Sequence, residues 1–305
     1  LLLCLIQPTK YFLKRKNILS DNGLDTLSHL TIDVTLPLLI FVQLIKDFNF
    51  SLYPDWWMFP LLSVAINVLG LCVGLLFVGW ISGRQARLQF LSLITFQNSG
   101  FLPLAMIVSL LPAHQAGTMF IYLFLFLVGF NLVIWPVVAY MLCSSRGAKI
   151  GLREILNPPV IASILGIVLV FLGFNRFIPG IVLKPLKMVG DCTLPLAMFV
   201  VGADLARIKV EHFNPKAIFL ITLTKLIILP LLGLALVFKL RLPELVGLLI
   251  ILQLAVPPAT SLAVILRHYK KEDLLVSQGI FFGHLFSIIT IPIFLSLYFA
   301  RVVVR

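Results

Sequence analysis

Apolar runs long enough to cross a bilayer recur along the whole of this chain, with short polar connections between them. A helix needs about 17–25 such residues to span a hydrocarbon core ~30 Å thick. No stretch between the runs is long enough for a separate soluble domain. Of the 305 residues 60% are hydrophobic and 12% charged, and the mean hydropathy is +1.09. Soluble domains carry roughly 25% charged residues. The chain therefore reads as an all-α polytopic membrane protein.

The runs predict ten helices. The first five lie near Leu1–Leu13, Leu30–Ile45, Trp56–Trp80, Phe90–Leu111 and Gln115–Leu142. The second five lie near Asn157–Phe174, Leu186–Leu205, Ala217–Phe238, Leu245–Leu266 and Leu274–Ala300. The first run starts without Met and is interrupted by Gln7, Pro8 and Lys10, so preceding residues are expected to be missing. No small-residue cleavage site follows it, which argues against a signal peptide.

A net charge of +12 would suit a nucleic-acid binder, but the basic residues form short clusters between apolar runs. There they set topology instead of building a phosphate-binding face. Connections after odd-numbered helices hold 15 of the 24 Lys and Arg, the opposite side 8, and Lys225 lies inside a helix. The richer side is expected to be cytoplasmic, which puts both termini outside. Cys4, Cys72, Cys143 and Cys192 show neither CxxC nor metal-ligand spacing.

An internal repeat organises the helices. Asp33-Val34-Thr35-Leu36-Pro37-Leu38 returns as Asp191-Cys192-Thr193-Leu194-Pro195-Leu196, 158 positions later. Phe130 through Pro136 and Val137 returns at Phe286 through Pro292 and Ile293, 156 positions later, and Gln97-Asn98 parallels Gln253-Leu254 at the same 156. The chain then divides into a repeat at 1–142, a cytoplasmic linker at 143–156 and a repeat at 157–305. Five helices per copy is an odd number, so the second copy enters from the opposite face. Ten helices in two inverted five-helix repeats suit a carrier that exposes one site to two sides in turn.

The fourth and ninth helices are interrupted at mid-membrane depth. One reads Phe96-Gln97-Asn98-Ser99-Gly100-Phe101-Leu102-Pro103, the other Gln253-Leu254-Ala255-Val256-Pro257-Pro258-Ala259-Thr260-Ser261. Proline removes a backbone donor and Gly and Asn tolerate irregular backbone, so both helices are expected to break. Paired breaks in matching helices point to a transport site, since helix ends there face a ligand with partial charges. Asn98, Ser99, Gly100, Pro103, Pro257, Pro258 and Thr260 are the candidate substrate contacts.

Lys225 lies mid-helix, too deep to snorkel, and needs a carbonyl, an acid or water. Asp191 and Asp33 fall in the first two turns of the seventh and second predicted helices. Gly190 and Thr193 would open space for water beside Asp191. His284 lies at membrane depth in the tenth helix. These four are the candidates for ion or proton coupling. Asn67 is expected to hydrogen-bond a neighbouring helix, with lining of the cavity as the alternative, and Trp56, Trp57 and Trp80 to anchor at the interface.

The ordered set of motifs resembles the auxin efflux carrier family, whose bacterial members are similar to malate and malonate permeases. The matching stretches include Tyr11 through Ser20, Gln97 through Leu104, Asn157-Pro158-Pro159 and Gly190 through Leu196. Val201 through Ala206, Lys225 through Pro230 and Val256 through Thr260 complete the set. Lys10 departs from the family pattern, where a small residue is usual. The resemblance implies ten helices with the fourth and ninth crossing at their prolines, organic-anion transport, and Asn98 as a substrate contact. It also implies a scaffold and homodimer face made by helices 1, 2, 6 and 7, with the other helices moving.

The expected function is secondary transport of a small mono- or dicarboxylate by alternating access, in a bacterial plasma membrane. No cofactor or metal is expected, and the coupling species is left between a proton and a sodium ion. A sodium- or proton-coupled carrier of the bile-acid-symporter or antiporter kind, and a non-transporting ligand sensor on the same fold, are the alternatives. No enzyme is expected. Met188-Val189-Gly190-Asp191 lacks the GxGD of intramembrane aspartyl proteases, no Tyr precedes Asp33, and Ser99 with His284 lacks a GxSG motif.

Overall fold

The computed structural model describes residues 21–143, 156–207, 214–268 and 274–303. The first predicted helix, and all but the ends of the predicted linker, lie outside them. The described residues form α1 (Asp21–Leu30), a π-helical segment (Thr31–Thr35), α2 (Leu36–Asp47), α3 (Met58–Phe77), α4 (Arg84–Thr95), α5 (Phe101–Leu110) and α6 (Ala113–Cys143). Then follow α7 (Pro158–Phe171), α8 (Gly180–Asp191), α9 (Thr193–Arg207), α10 (Pro215–Leu223), a second π-helical segment (Thr224–Ile228) and α11 (Leu229–Lys239). α12 (Glu244–Ala255), α13 (Ser261–His268) and α14 (Leu274–Val303) complete the order.

Five of these stretches are long and apolar enough to cross a membrane: Thr26–Asp47, Met58–Trp80, Ala113–Leu142, Pro215–Lys239 and Leu274–Val302. Phe101–Leu110, Pro158–Phe171 and Glu244–Ala255 are apolar but shorter. Interruption keeps the fourth, seventh and ninth predicted helices from forming single spans.

Proline explains most of the irregular backbone. Thr31–Thr35 lies ahead of Pro37 and Thr224–Ile228 ahead of Pro230, at identical spacing. A proline cannot donate to the carbonyl one turn back and its ring crowds that carbonyl, so the preceding turn widens. At Pro195 the same strain breaks the helix, and Cys192 separates α8 from α9. The seventh predicted helix is accordingly two helices, and it starts at Gly180 and not Leu186. Asp191 thus ends a 12-residue helix instead of opening one. Asp33 is likewise more than three turns from the start at Asp21, because the second predicted helix begins nine residues early.

The described residues fall into two compact units. The first draws on Leu1–Leu61, Leu104–Leu132 and Gly151–Arg207, the second on Leu62–Pro103, Val133–Ile150 and Ile208–Arg305. Each therefore takes helices from both halves of the sequence. Predicted helices 2, 6 and 7 share the first unit, the grouping the resemblance implies for a scaffold. Most of predicted helix 5 falls there too, where the resemblance puts it among the moving helices.

Within the first unit α2 packs along α7 and α8. Gly166 lets α7 approach Leu44, where a Cβ would stand 3.1 Å from the Leu44 Cβ. Gly190 is tighter still, since a Cβ there would meet the Leu39 backbone nitrogen at 2.8 Å and its Cα at 2.9 Å. Gly190 therefore closes α8 onto α2, and the space for water expected beside it is filled by backbone. Small residues at helix contacts are the usual means of close approach in a bilayer.

In the second unit α12 and α14 pack with the α10–α11 helix and its π segment, and α14 also packs on α4. Gly233, Gly247 and Gly279 lie at these contacts, facing Leu254, Tyr298 and Leu93. The element bounds of predicted helices 4 and 9 run in parallel here. Arg84 and Glu244, Thr95 and Ala255, and Phe101 and Ser261 are each 160 positions apart. The Gln97-Asn98 and Gln253-Leu254 match at 156 is thus one helical turn out of step. Gln97-Asn98 lie in the extended break, whereas Gln253-Leu254 lie in the last turn of α12, because Pro257 and Pro258 set where that helix stops.

Gly190→Val should lower the melting temperature in detergent by several degrees, as overpacking against backbone costs about 1–3 kcal/mol. Gly180→Ala, where nothing lies within 4 Å of the added Cβ, should leave it unchanged. Thermal unfolding of the two purified variants checks this.

Candidate site at the paired helix breaks

α4 stops at Thr95, Phe96 is extended, and the chain stays out of helix to Gly100, turning at Asn98 where the Ser99 N–H donates to the Gln97 carbonyl, before α5 begins. α12 stops at Ala255, and Val256 is extended with ψ of 150°. A residue before proline is driven to extended backbone, and Val256 and Pro257 each precede one. Pro103 falls in the first turn of α5, where its missing N–H costs nothing. It starts a helix and does not kink one.

The two extended segments pair antiparallel, with Gln97 opposite Pro258. The Asn98 N–H donates to the Pro257 carbonyl at 2.9 Å, and the Ala259 N–H donates to the Phe96 carbonyl at 3.0 Å. These bonds flank the Gln97–Pro258 pair, so proline stands where no donor is needed. Backbone freed from two helices is satisfied by the other break, as a lipid environment demands.

Side chains of α14 and of the last turn of α12 close on this bridge. Gly283 of α14 abuts Pro258, since a Cβ there would lie 2.7 Å from the proline Cδ. That contact brings His284 to Asn98, with Asn98 Nδ2 3.2 Å from His284 Nε2. His284 Nδ1 lies 2.8 Å from the Ile280 carbonyl, which can only accept. Nδ1 therefore carries the proton and Nε2 accepts from Asn98, the pattern of a neutral imidazole. Gln253 Nε2, from the last turn of α12, donates to the Ser99 carbonyl at 3.2 Å. Ser99 Oγ turns back to the Gln97 carbonyl at 3.3 Å.

Lys225 is 1% exposed, and its Nζ donates to the Ile94 carbonyl at 2.9 Å, in the last turn of α4. The π-helical segment Thr224–Ile228 carries it. α3 reaches the same turn, where a Cβ at Gly70 would stand 3.0 Å from the Ile94 oxygen.

Buried polar atoms without a protein partner gather on these elements. Both amide atoms of Gln97 and of Asn67, the Thr95 and Thr224 hydroxyls and Gln253 Oε1 are in this state. Asn67 thus lacks the interhelical hydrogen bond expected of it. Each such group costs about 1–3 kcal/mol unless water or a ligand satisfies it. The second unit therefore holds a set of polar groups with unused hydrogen-bonding capacity at its paired breaks.

The candidate residues separate by unit. Asn98, Ser99, Pro257 and Pro258 are buried at the bridge, Gly100 and Thr260 are half-buried at its ends, and Lys225 and His284 are buried beside it. Asp33 and Asp191 belong to the first unit. Asp191 is 51% exposed and paired with Lys187 at 2.6 Å. Asp33 is 47% exposed and pairs with His29 at 3.1 Å. The partners of the two acids are themselves 158 positions apart, like the acids. Gln97 and Gln253 were legible as a repeat match but not as site residues, and Thr95 and Thr224 carried no signal of their own.

A family model described as "Membrane transport protein" matches the chain twice, over residues 2–154 and 145–295. The chain belongs to this auxin efflux carrier-like family of membrane transport proteins. It is an integral membrane protein. Each match contains one of the two breaks. An uncharacterized transporter of Methanocaldococcus jannaschii is similar, at 27% identity over 204 residues. The alignment covers 64% of this chain and 64% of that relative's length.

In this member of the family the two glutamines should respond oppositely to an apolar substitution. Gln253→Leu strips the Ser99 carbonyl of its donor and should lower the melting temperature by several degrees. Gln97→Leu removes an amide with no protein partner and should leave stability unchanged or higher. Thermal unfolding in detergent without added ligand separates the two.

Proposed function

We propose that this member of the membrane transport protein family is a secondary carrier of a small organic anion, a mono- or dicarboxylate, working by alternating access. The observation that carries the reading is the antiparallel pairing of two helix breaks inside one unit, among buried polar side chains with unused capacity. α5 and α13 both start at this bridge, and a helix start carries partial positive charge and open N–H groups. The Lys225 ammonium adds positive charge to the same unit. An anion is the complementary ligand, contacted by Asn98, Ser99 and the backbone of the breaks.

The wider architecture proposed is ten membrane helices in two inverted five-helix repeats, with the first unit as scaffold and homodimer face. Support comes from the 160-position spacing shared by the bounds of predicted helices 4 and 9 and from a family model that matches each half once. Both termini are proposed to lie outside. Asp33 and Asp191 remain the proposed coupling groups, with a proton or sodium ion as the coupling species.

The test is a flux screen in proteoliposomes, with mono- and dicarboxylates supplied under proton gradients, sodium gradients and neither. Uptake of at least one carboxylate is expected, reduced at least tenfold by Asn98→Ala and by Pro257→Ala. Uptake untouched by both substitutions would remove the bridge from the transport path. Saturable carboxylate binding without flux would make the protein a sensor on a carrier fold.

A further inference from the structure

An α-helix ends in carbonyls without intrahelical partners, and its end carries about half a negative charge. In α4 the Ser92 carbonyl is taken by the Phe96 N–H, and the Ile94 carbonyl by the Lys225 ammonium. In α12 the Leu252 carbonyl is likewise taken by the Val256 N–H, and no cation is recorded at its end among the described residues. One broken helix end is thus covered by a lysine Nζ and, among the described residues, its counterpart is not.

The ammonium is held without an acid. Its one partner among the described residues is the Ile94 carbonyl, and the sequence has no Asp or Glu between Asp55 and Glu154. Three donors with one acceptor, at 1% exposure, make a costly group unless the helix end needs its charge. Oxygen-bearing side chains lie on the adjoining turns, and none of them accepts from the ammonium. Thr95 follows Ile94, Thr224 precedes Lys225, and Asn67 lies one turn from Gly70, which abuts the Ile94 oxygen. All three are buried, and their Oγ1, Oγ1 and Oδ1 atoms have no protein partner.

We propose that the Lys225 ammonium is a built-in monovalent cation at the carbonyl end of α4, and that its removal opens a sodium or potassium site there. Neutral oxygens replace the hydration shell of an alkali ion, as rings of carbonyls do in channels. A divalent ion is the poorer occupant, because hard divalent sites are built around carboxylates and none is present. The native protein then needs no free alkali cation at this helix end. That consequence for flux rests on the bridge being the transport site; cation binding does not, and it is read without substrate.

The experiment is thermal unfolding of the full-length protein and of Lys225→Ala in detergent, in sodium, potassium and choline chloride at equal ionic strength. The native protein in the same salts gives the baseline, including any coupling ion held at Asp33 or Asp191. K225A should melt lower in choline and rise saturably by several degrees with sodium or potassium, as linkage to a bound ion requires. Recovery of K225A from membranes only when sodium or potassium is present supports the same conclusion. Equal melting of K225A in the three salts overturns it. So does a salt dependence of K225A no larger than that of the native protein, or failure to recover K225A in any salt. Cation-dependent K225A in a protein that moves no carboxylate would sink the carrier reading and leave this one standing.

Discussion

Two backbone hydrogen bonds hold the centre of the second unit together, from Asn98 to Pro257 and from Ala259 to Phe96. Without them, two extended segments would leave amides and carbonyls unsatisfied in a chain whose surroundings are largely hydrocarbon. Such groups cost several kcal/mol each in lipid, so neither break is tenable alone. The remaining contacts serve this pairing. Gly283 lets α14 reach Pro258, Gln253 covers the Ser99 carbonyl, and Lys225 covers the Ile94 carbonyl. What the bridge leaves over is a set of buried polar side chains that protein atoms do not use.

The first unit is built differently. Its helices meet through glycines that bring backbones together, Gly166 on Leu44 and Gly190 on Leu39. Its acids Asp33 and Asp191 lie outside that packing, in two exposed pairs, His29–Asp33 and Lys187–Asp191. Both units pack closely through glycines, while most of the buried polar side-chain atoms without a protein partner lie in the second. Scaffold and ligand-handling roles for the two units are part of the proposed function.

The breaks were legible because proline and glycine act locally: Pro257-Pro258 cannot continue a helix, and Asn98-Ser99-Gly100 readily leaves one. Burial of Lys225 and His284 also followed from their distance to the nearest polar connection. Depth along a helix was harder to read. Asp33 and Asp191 were set near helix starts because hydropathy falls at Asp21–Leu30 and at Lys184 and Lys187, although the helices continue through both regions. The repeat was read one turn short at the breaks, since matching residue types and matching backbone geometry need not keep the same register. Which polar atoms lack partners is a three-dimensional property. Thr95 and Gln97 could not be singled out from their neighbours, and Gly190, read as space for water, proved to be contact.

Hydrogen exchange with and without a transported carboxylate tests the central claim most directly, read on peptides covering residues 96–104 and 256–264. The account predicts that the Asn98 and Ala259 amides exchange slowly together, and that carboxylate slows both segments further while leaving α7 unchanged. A carboxylate that is transported yet alters exchange in neither segment would contradict it.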